Sequence, residues 1–143
     1  MKLVQIAVFI ENAPGRLAEV CGLLGDAGIN MRALSMGDST DFGVLRIIAN
    51  DPQKAKQVLR ENGFTAIETE VLAVEIPDRP GGLAGVLKLL GSNGINVEYM
   101  YMLVTAQHEK AYVAFRFTDN DKAIKVLTES GVRILKGEEV YNI

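Results

Sequence analysis

Along the start of the chain, the apolar residues first recur every two residues and then about every 3.6 residues. This change predicts a strand followed by a helix. Over residues 3–10 the large aliphatic residues Val4, Ile6, Val8 and Ile10 alternate with the more varied Leu3, Gln5, Ala7 and Phe9, which is typical of a strand with one strongly apolar face. After the loop 12–15, apolar residues at helical spacing predict a helix that Gly25 and Gly28 end; its apolar stripe is Leu17, Val20, Cys21 and Leu24.

The next segment predicts a pair of strands, a second helix and a fourth strand. Strands are expected over residues 29–36 and 42–49, joined by a turn at 37–41. Asp51 and Pro52 predict the start of a helix, because aspartate caps a helix and proline fits its first turn. That helix ends at Asn62–Gly63, and a strand is expected from residue 64 to about 71.

The second half of the chain has the same order of elements. A strand begins at Leu72 without an intervening linker, and a helix follows whose stripe is Leu83, Val86, Leu87 and Leu90. Strands are expected over 95–105 and 110–118, a helix over 121–130 and a last strand over 132–141.

The two halves also repeat each other in sequence. The segment from Pro14 to Asn30 returns about 66 residues later, from Pro80 to Asn96, with about two thirds of its positions identical. A period of this length is that of a small domain. We therefore predict the α+β class, with two ferredoxin-like βαββαβ domains over residues 1–71 and 72–143 and antiparallel sheets packed side by side.

Composition narrows the classes of function. The 143 residues are 48% hydrophobic and 23% charged with a net charge of -3, which predicts a globular protein and argues against nucleic-acid binding. A single cysteine favours a cytoplasmic location, and no apolar run is long enough to span a bilayer. The start of the chain has no signal-peptide pattern, so we expect no membrane association.

The loop before the first helix of each half is the candidate binding site. It runs Asn12-Ala13-Pro14-Gly15 in one copy and Asp78-Arg79-Pro80-Gly81 in the other. The first N–H groups of a helix have no partner within it and lie at the positive end of its dipole, so they favour a carboxylate. An amino acid would offer that carboxylate, and its ammonium would suit the side-chain oxygens of Asn12 or Asp78. The alternative is that these residues simply cap the helix.

A second candidate motif is Gly28-Ile29-Asn30, which recurs as Gly94-Ile95-Asn96. The glycine is explained by the end of a helix. The asparagine either contacts a ligand or satisfies neighbouring backbone groups. Residues of the following strands could line a side-chain pocket or pack in the sheet: Ser35, Met36, Tyr99, Tyr101 and Met102.

Together these motifs resemble the ACT domain family, small ferredoxin-like modules that sense amino acids in metabolic enzymes. The resemblance rests on the Asn/Asp-x-Pro-Gly-x-Leu-Ala loop, the Leu-Leu-Gly helix end and the Gly-Ile-Asn motif, each present twice. It covers essentially the whole chain, as two tandem modules with no catalytic domain between or beside them.

The resemblance implies two ligand sites, each shared between a loop and the asparagine of a neighbouring module. One would use Asn12, Ala13, Pro14, Gly15, Arg16 and Leu17, completed by Asn96. The other would use Asp78, Arg79, Pro80, Gly81, Gly82 and Leu83, completed by Asn30. Asp78 replaces an asparagine, and its carboxylate would repel an effector's carboxylate but attract its ammonium or a basic side chain. We therefore expect the two sites to differ in affinity or selectivity.

The function expected from this resemblance is that of a non-catalytic regulatory protein with a free amino acid as its effector. The alternative is a ligand-independent regulatory or assembly subunit of an amino-acid metabolic enzyme. We expect a homodimer, with a metabolic enzyme or transporter as a further partner. No cofactor, metal site or catalytic residue is predicted: Cys21 lies on an apolar helix stripe, and His108 has no second histidine or cysteine nearby in the sequence.

Overall fold

The computed structural model describes residues 1–37, 42–104 and 109–142. These residues form six strands and five helices, and the chain divides into two compact units. We call Val4–Thr69 module 1, and Glu70–Tyr141 together with Met1–Leu3 module 2. Each module follows the ferredoxin-like plan. The sequence predicted this plan, because the apolar patterns of strands and helices occur in the same order in both halves.

Module 1 is an antiparallel sheet with two helices. Its elements are β1 (Leu3–Glu11), α1 (Arg16–Asp26), β2 (Met31–Gly37), β3 (Phe42–Ala49), α2 (Pro52–Glu61) and the first part of β4 (Thr65–Pro77). The strand order is β2-β3-β1-β4. Glu11 lies opposite Phe42 at one end of the sheet, and Met31 lies opposite Ala49 at the other end.

The core of module 1 lies between the sheet and its helices, and it corrects the predicted stripe of α1. Val20 and Leu24 are buried, but Leu17 is 42% exposed and Cys21 is only partly buried. The inward stripe is Val20, Leu23, Leu24 and Ala27, which has the same spacing and starts three residues later. Because both stripes fit a helical period, spacing alone did not identify the buried one.

Module 2 repeats the arrangement. Its elements are the remainder of β4, then α3 (Gly82–Ser92), β5 (Val97–Met102), β6 (Lys110–Phe117), α4 (Asn120–Glu129) and α5 (Gly137–Tyr141). The strand order is β4-β6-β5, and Pro77 lies opposite Lys110 just as Glu11 lies opposite Phe42. Lys2, near the start of the chain, belongs to this module through an ion pair of 2.8 Å with Asp121.

The predicted last strand over residues 132–141 is wrong. Only a short extended segment pairs with β4, through an isolated bridge between Ile134 and Val74. The chain then forms the helix α5, because the Glu139 carboxylate accepts a hydrogen bond of 2.9 Å from the backbone N–H of Lys136 and so caps the first turn. Val140 of this helix is fully buried.

Three predictions fall partly or wholly outside the described residues. They are the turn over 37–41, the hairpin turn around 106–109 and the surroundings of His108.

Candidate functional site

The strand-to-helix loop has the same backbone conformation in both modules. The residue before α1 is Gly15, with φ 83°, and the residue before α3 is Gly81, with φ 85°. This left-handed conformation favours glycine, since a Cβ would strain it. No side chain caps either helix. The alternative role that the sequence allowed for Asn12 and Asp78, capping the helix, is therefore not the one they have.

The second helix of each module provides the contrast. The Asp51 carboxylate accepts a hydrogen bond of 3.1 Å from the N–H of Lys54, and the Asp119 carboxylate accepts one of 3.0 Å from the N–H of Lys122. These helices therefore have the side-chain cap that α1 and α3 lack. The Gly82 N–H donates to the Arg79 carbonyl at 3.0 Å, and the Arg16 N–H reaches the Ala13 carbonyl at 3.4 Å. The amides left for another hydrogen-bond acceptor are the next ones, those of Leu17 and Ala18 in α1 and of Leu83 and Ala84 in α3.

The residues of both predicted loops lie mostly at the surface. Residues 12–15 and 78–81 are exposed, Arg16 and Leu83 are half-buried, and Leu17 is exposed. Gly82 is buried, because α3 begins against Pro77: a Cβ built on Gly82 would collide with the Pro77 carbonyl oxygen. No side chain larger than hydrogen fits at this position without a backbone shift.

The predicted asparagines lie at the other end of each sheet. Asn30 immediately precedes β2, where Met31 is opposite Ala49, whereas Asn12 follows the opposite end of β1. The backbone N–H of Asn30 donates to the Asn50 side-chain oxygen at 3.0 Å, so Asn50 satisfies a backbone group at the start of β2. The Asn96 amide donates to Thr118 Oγ1 at 3.2 Å. The structure therefore does not bring Asn12 and Asn30 together within module 1.

A cavity of about 470 Å³ adjoins the loop of module 1. This volume is within the range of small-molecule sites, roughly 300–1,000 Å³. The cavity brings two predicted residues, Asn12 and Arg16, together with six that the sequence did not single out: Phe9, Glu11, Phe42, Gly63, Phe64 and Thr65. We call it the module 1 cavity.

Arg16 is the cation of the module 1 cavity. Its guanidinium lies 5.2 Å from the Phe64 ring centroid and donates a hydrogen bond of 2.7 Å to Glu19. Its Nε atom is buried and has no hydrogen-bond acceptor among the described residues; the Glu11 carboxylate lies 3.8 Å from it, too far for a hydrogen bond. A buried donor without an acceptor is uncommon in proteins and marks a place for an additional acceptor.

A cavity of about 410 Å³ occupies the equivalent place in module 2, which we call the module 2 cavity. Its polar groups already pair with one another: Glu75 is 3.0 Å from Arg133 and 3.4 Å from Lys110. The hydrogen bond to Glu75, with further help from Glu139, raises the pKa of Arg133 above its ordinary value. Its other lining residues are Ile76, Pro77, Val86, Glu109, Gly131 and Val132.

The residues that sequence reasoning missed are the phenylalanines. A signal was present in the repeat itself, because Phe9, Phe42 and Phe64 stand where module 2 has Glu75, Lys110 and Val132. Placing them in one cavity needs the register of β1 against β3, which the sequence does not provide. The strand residues suggested as a pocket lining, including Met36 and Met102, line neither cavity.

We searched the part of the chain that the structure describes for a metal site and for a membrane-spanning helix. No cluster of three or more histidine, cysteine or acidic side chains is arranged to hold a metal ion there. Within the same ranges, no helix combines the length and the apolar character that crossing a bilayer requires.

The sequence model of the family described as the ACT domain pair matches residues 1–143. The chain belongs to this family. The two βαββαβ units, with their glycine-led first helices, are thus ACT modules in tandem. No curated protein matches the chain.

Solved structures agree with this assignment. Protein BT0572 from Bacteroides thetaiotaomicron is 39% identical with a TM-score of 0.94, covering 100% of this chain and 98% of its own. The ligand-free regulatory subunit of aspartate kinase from Thermus thermophilus is 19% identical with a TM-score of 0.66, covering 88% of this chain and 91% of its own. The corresponding subunit from Thermus flavus is 21% identical with a TM-score of 0.62, covering 88% and 90%. The two Thermus structures show the shared fold.

Proposed function

We propose that this ACT domain pair is a non-catalytic regulatory protein whose effector is a free amino acid. Membership of the family supports the regulatory role. The observation that carries the amino-acid proposal is the uncapped start of α1 and α3, next to loops of matching conformation. Such helix starts favour a carboxylate, and every free amino acid has one.

The proposed contacts follow the loops. In module 1 the effector carboxylate lies at the first-turn amides of α1, within the segment Asn12, Ala13, Pro14, Gly15, Arg16 and Leu17. The Asn12 side chain offers an oxygen to the ammonium group. The second loop is Asp78, Arg79, Pro80, Gly81, Gly82 and Leu83, where the Asp78 carboxylate opposes an effector carboxylate. We therefore propose unequal sites, with the stronger one in module 1.

We also propose that each site is completed by an asparagine from another module. Within module 1, Asn30 lies at the far end of the sheet from Asn12, so it is unable to serve the loop of its own module. We propose Asn96 as the partner of the Asn12 loop and Asn30 as the partner of the Asp78 loop. An effector held by two modules stabilises one arrangement of the modules relative to an alternative one. The stabilisation equals the difference between its binding free energies for the two arrangements, typically about 1–3 kcal/mol.

The test is calorimetric titration of the protein with individual amino acids. A small ligand held by a few charge-assisted bonds is expected to bind with a Kd of roughly micromolar to millimolar. Asn96→Ala should weaken binding, whereas Asn93→Ala, an exposed asparagine at the end of α3 outside the proposed site, should not. Absence of binding by any amino acid at millimolar concentration contradicts the proposal.

A second candidate is a ligand-independent assembly subunit, and the outer strands favour it. β2 and β5 each end the strand order of their module and carry exposed apolar residues at equivalent positions: Leu34 and Met36 on β2, Met100 and Met102 on β5. Bare strand edges of this kind pair readily with another chain. We propose a homodimer through these edges. Co-purification of a stoichiometric enzyme or transporter with an amino-acid-insensitive protein would favour the assembly role.

A further inference from the structure

Three phenylalanine rings line the module 1 cavity, and two of them are exposed. Phe9 is 40% exposed and Phe42 is 56% exposed, while Phe64 is 6% exposed and forms part of the core. Grouped apolar side chains that remain in contact with water are typical of a ligand or partner site. Aromatic rings prefer other rings at offset or edge-to-face geometry, so these three favour an aromatic group.

The same cavity has both charges that an amino acid requires. Arg16 has a buried Nε without an acceptor among the described residues, and Glu11 has an exposed carboxylate 3.8 Å from it. A ligand carboxylate shared between the first-turn amides of α1 and Arg16 completes the hydrogen bonds of Arg16, and the ligand's ammonium pairs with Glu11 as well as with the Asn12 oxygen. The cavity thus combines a cation, an anion and an apolar wall within one small volume.

The module 2 cavity has different residues at the positions of the two exposed rings and of the cation. Glu75 and Lys110 replace Phe9 and Phe42, and they form an ion pair of 3.4 Å with each other. Gly82 replaces Arg16, and the Pro77 carbonyl leaves no room for a side chain there. Module 2 thus has two charged side chains where module 1 has two exposed aromatic rings.

We propose that the module 1 cavity recognises the side chain of an aromatic α-amino acid and that the chain binds one such molecule. This inference rests on the proposed function, because the cavity shares Asn12 and Arg16 with the effector loop. It adds the chemical class of the effector and assigns specificity to Phe9 and Phe42. The difference between the modules is then a difference in ligand recognition.

The test is calorimetric titration with phenylalanine, tyrosine, tryptophan, leucine, lysine and aspartate. At least one aromatic amino acid should bind at least about tenfold more tightly than leucine, with one molecule per chain, since ring contacts and apolar burial add together. Binding that favours leucine, lysine or aspartate overturns the inference and leaves the proposed function standing. If none of them binds at millimolar concentration, the inference is overturned. If the remaining amino acids also fail to bind, the proposed function is overturned as well.

Matched variants test the cavity itself. Phe42→Ala should lower the affinity for the preferred aromatic amino acid by about tenfold, whereas Phe42→Tyr keeps the ring and should keep the affinity within about twofold. Lys110→Ala changes the equivalent residue of module 2 and should leave binding unchanged. Equal affinity of Phe42→Ala and the parent protein, with both shown to be folded by circular dichroism, overturns the proposed role of the cavity.

Discussion

The Arg16 guanidinium stacks against the Phe64 ring, with 5.2 Å between the guanidinium carbon and the ring centroid. Phe64 directly follows the turn that ends α2, and it is buried in the core of module 1. The Glu19 carboxylate accepts a hydrogen bond of 2.7 Å from Nη1 of the same guanidinium. Arg16 is therefore positioned by the fold before any ligand arrives, and this lowers the entropic cost of binding an anion next to it.

This arrangement predicts that Phe64→Leu weakens ligand binding. Leucine keeps most of the apolar volume, so the free energy of unfolding should fall by only about 1 kcal/mol, but the cation–π contact that orients Arg16 is lost. Urea denaturation and calorimetric titration measure the two effects separately.

The control is Val132→Ala, which changes the equivalent residue of module 2. It should also lower stability, by roughly 1–2 kcal/mol, without lowering the affinity for the effector. If both variants bind the ligand as the parent protein does, Arg16 is not oriented through Phe64.

The two loops differ by Asn12 and Asp78, and exchanging them provides a second prediction. Asn12→Asp adds a carboxylate that attracts the effector's ammonium and repels its carboxylate. Because Glu11 already pairs with the ammonium, the repulsion should outweigh the attraction and reduce affinity at least about tenfold. Asp78→Asn removes the repulsion in module 2 and should not reduce affinity. Calorimetric titration of both variants measures this difference. A loss of binding in Asp78→Asn, with Asn12→Asp unaffected, would assign the effector to module 2.

Stability should fall in acid partly through Glu139. The hydrogen bond from the Lys136 backbone N–H, with the nearby Arg133 guanidinium, lowers the pKa of Glu139 below its ordinary value of 4.5. A pKa that is lower in the folded state means that the ionised carboxylate stabilises the fold above about pH 4.5, and that this stabilisation is lost as the pH falls through the folded pKa. Glu139→Gln should therefore flatten the acid limb of a plot of unfolding free energy against pH.

The matched control for this variant is Glu129→Gln, at the exposed end of α4. It makes the same change in charge without disturbing the first turn of α5. An acid limb that is unchanged in Glu139→Gln would show that capping by this carboxylate does not contribute to stability.

The outer strands provide a prediction about assembly. Met36→Lys together with Met102→Lys places charges on the exposed faces of β2 and β5, and charged edge strands resist pairing. Light scattering should show a dimer for the parent protein and a monomer for the double variant. Ile67→Lys, which alters an exposed apolar residue on the inner strand β4, should remain dimeric. A monomeric parent protein contradicts the proposed homodimer.

The sequence predicted most of the fold because local signals agreed with one another. Residues 42–49 form the expected strand, and Asp51 caps α2 as its position before proline indicated. The error at residues 132–141 arose because the alternation of Val132 and Ile134 with Arg133, typical of a strand, was extended beyond Leu135, where it stops. The hydrogen bond from the Lys136 N–H to Glu139 starts a helix there instead.

The candidate site was only partly predictable. The loops were visible because glycine and proline are repeated at the same spacing in both halves. The grouping of Phe9, Phe42 and Phe64 was not visible in the sequence, because these residues are distant along the chain. They meet only through strand register and the turn after α2. Contacts that depend on tertiary register leave no local periodicity to detect.

The account rests most on a carboxylate bound at the first-turn amides of α1, and an NMR titration of the ¹⁵N-labelled protein tests this directly. With an aromatic amino acid added to about 10 mM, the amide signals of Leu17 and Ala18 should shift and saturate, while those of the Asp51-capped helix α2 should not. Saturable shifts confined to residues outside the Asn12–Leu17 loop, or no saturable shift with any amino acid, would contradict the account.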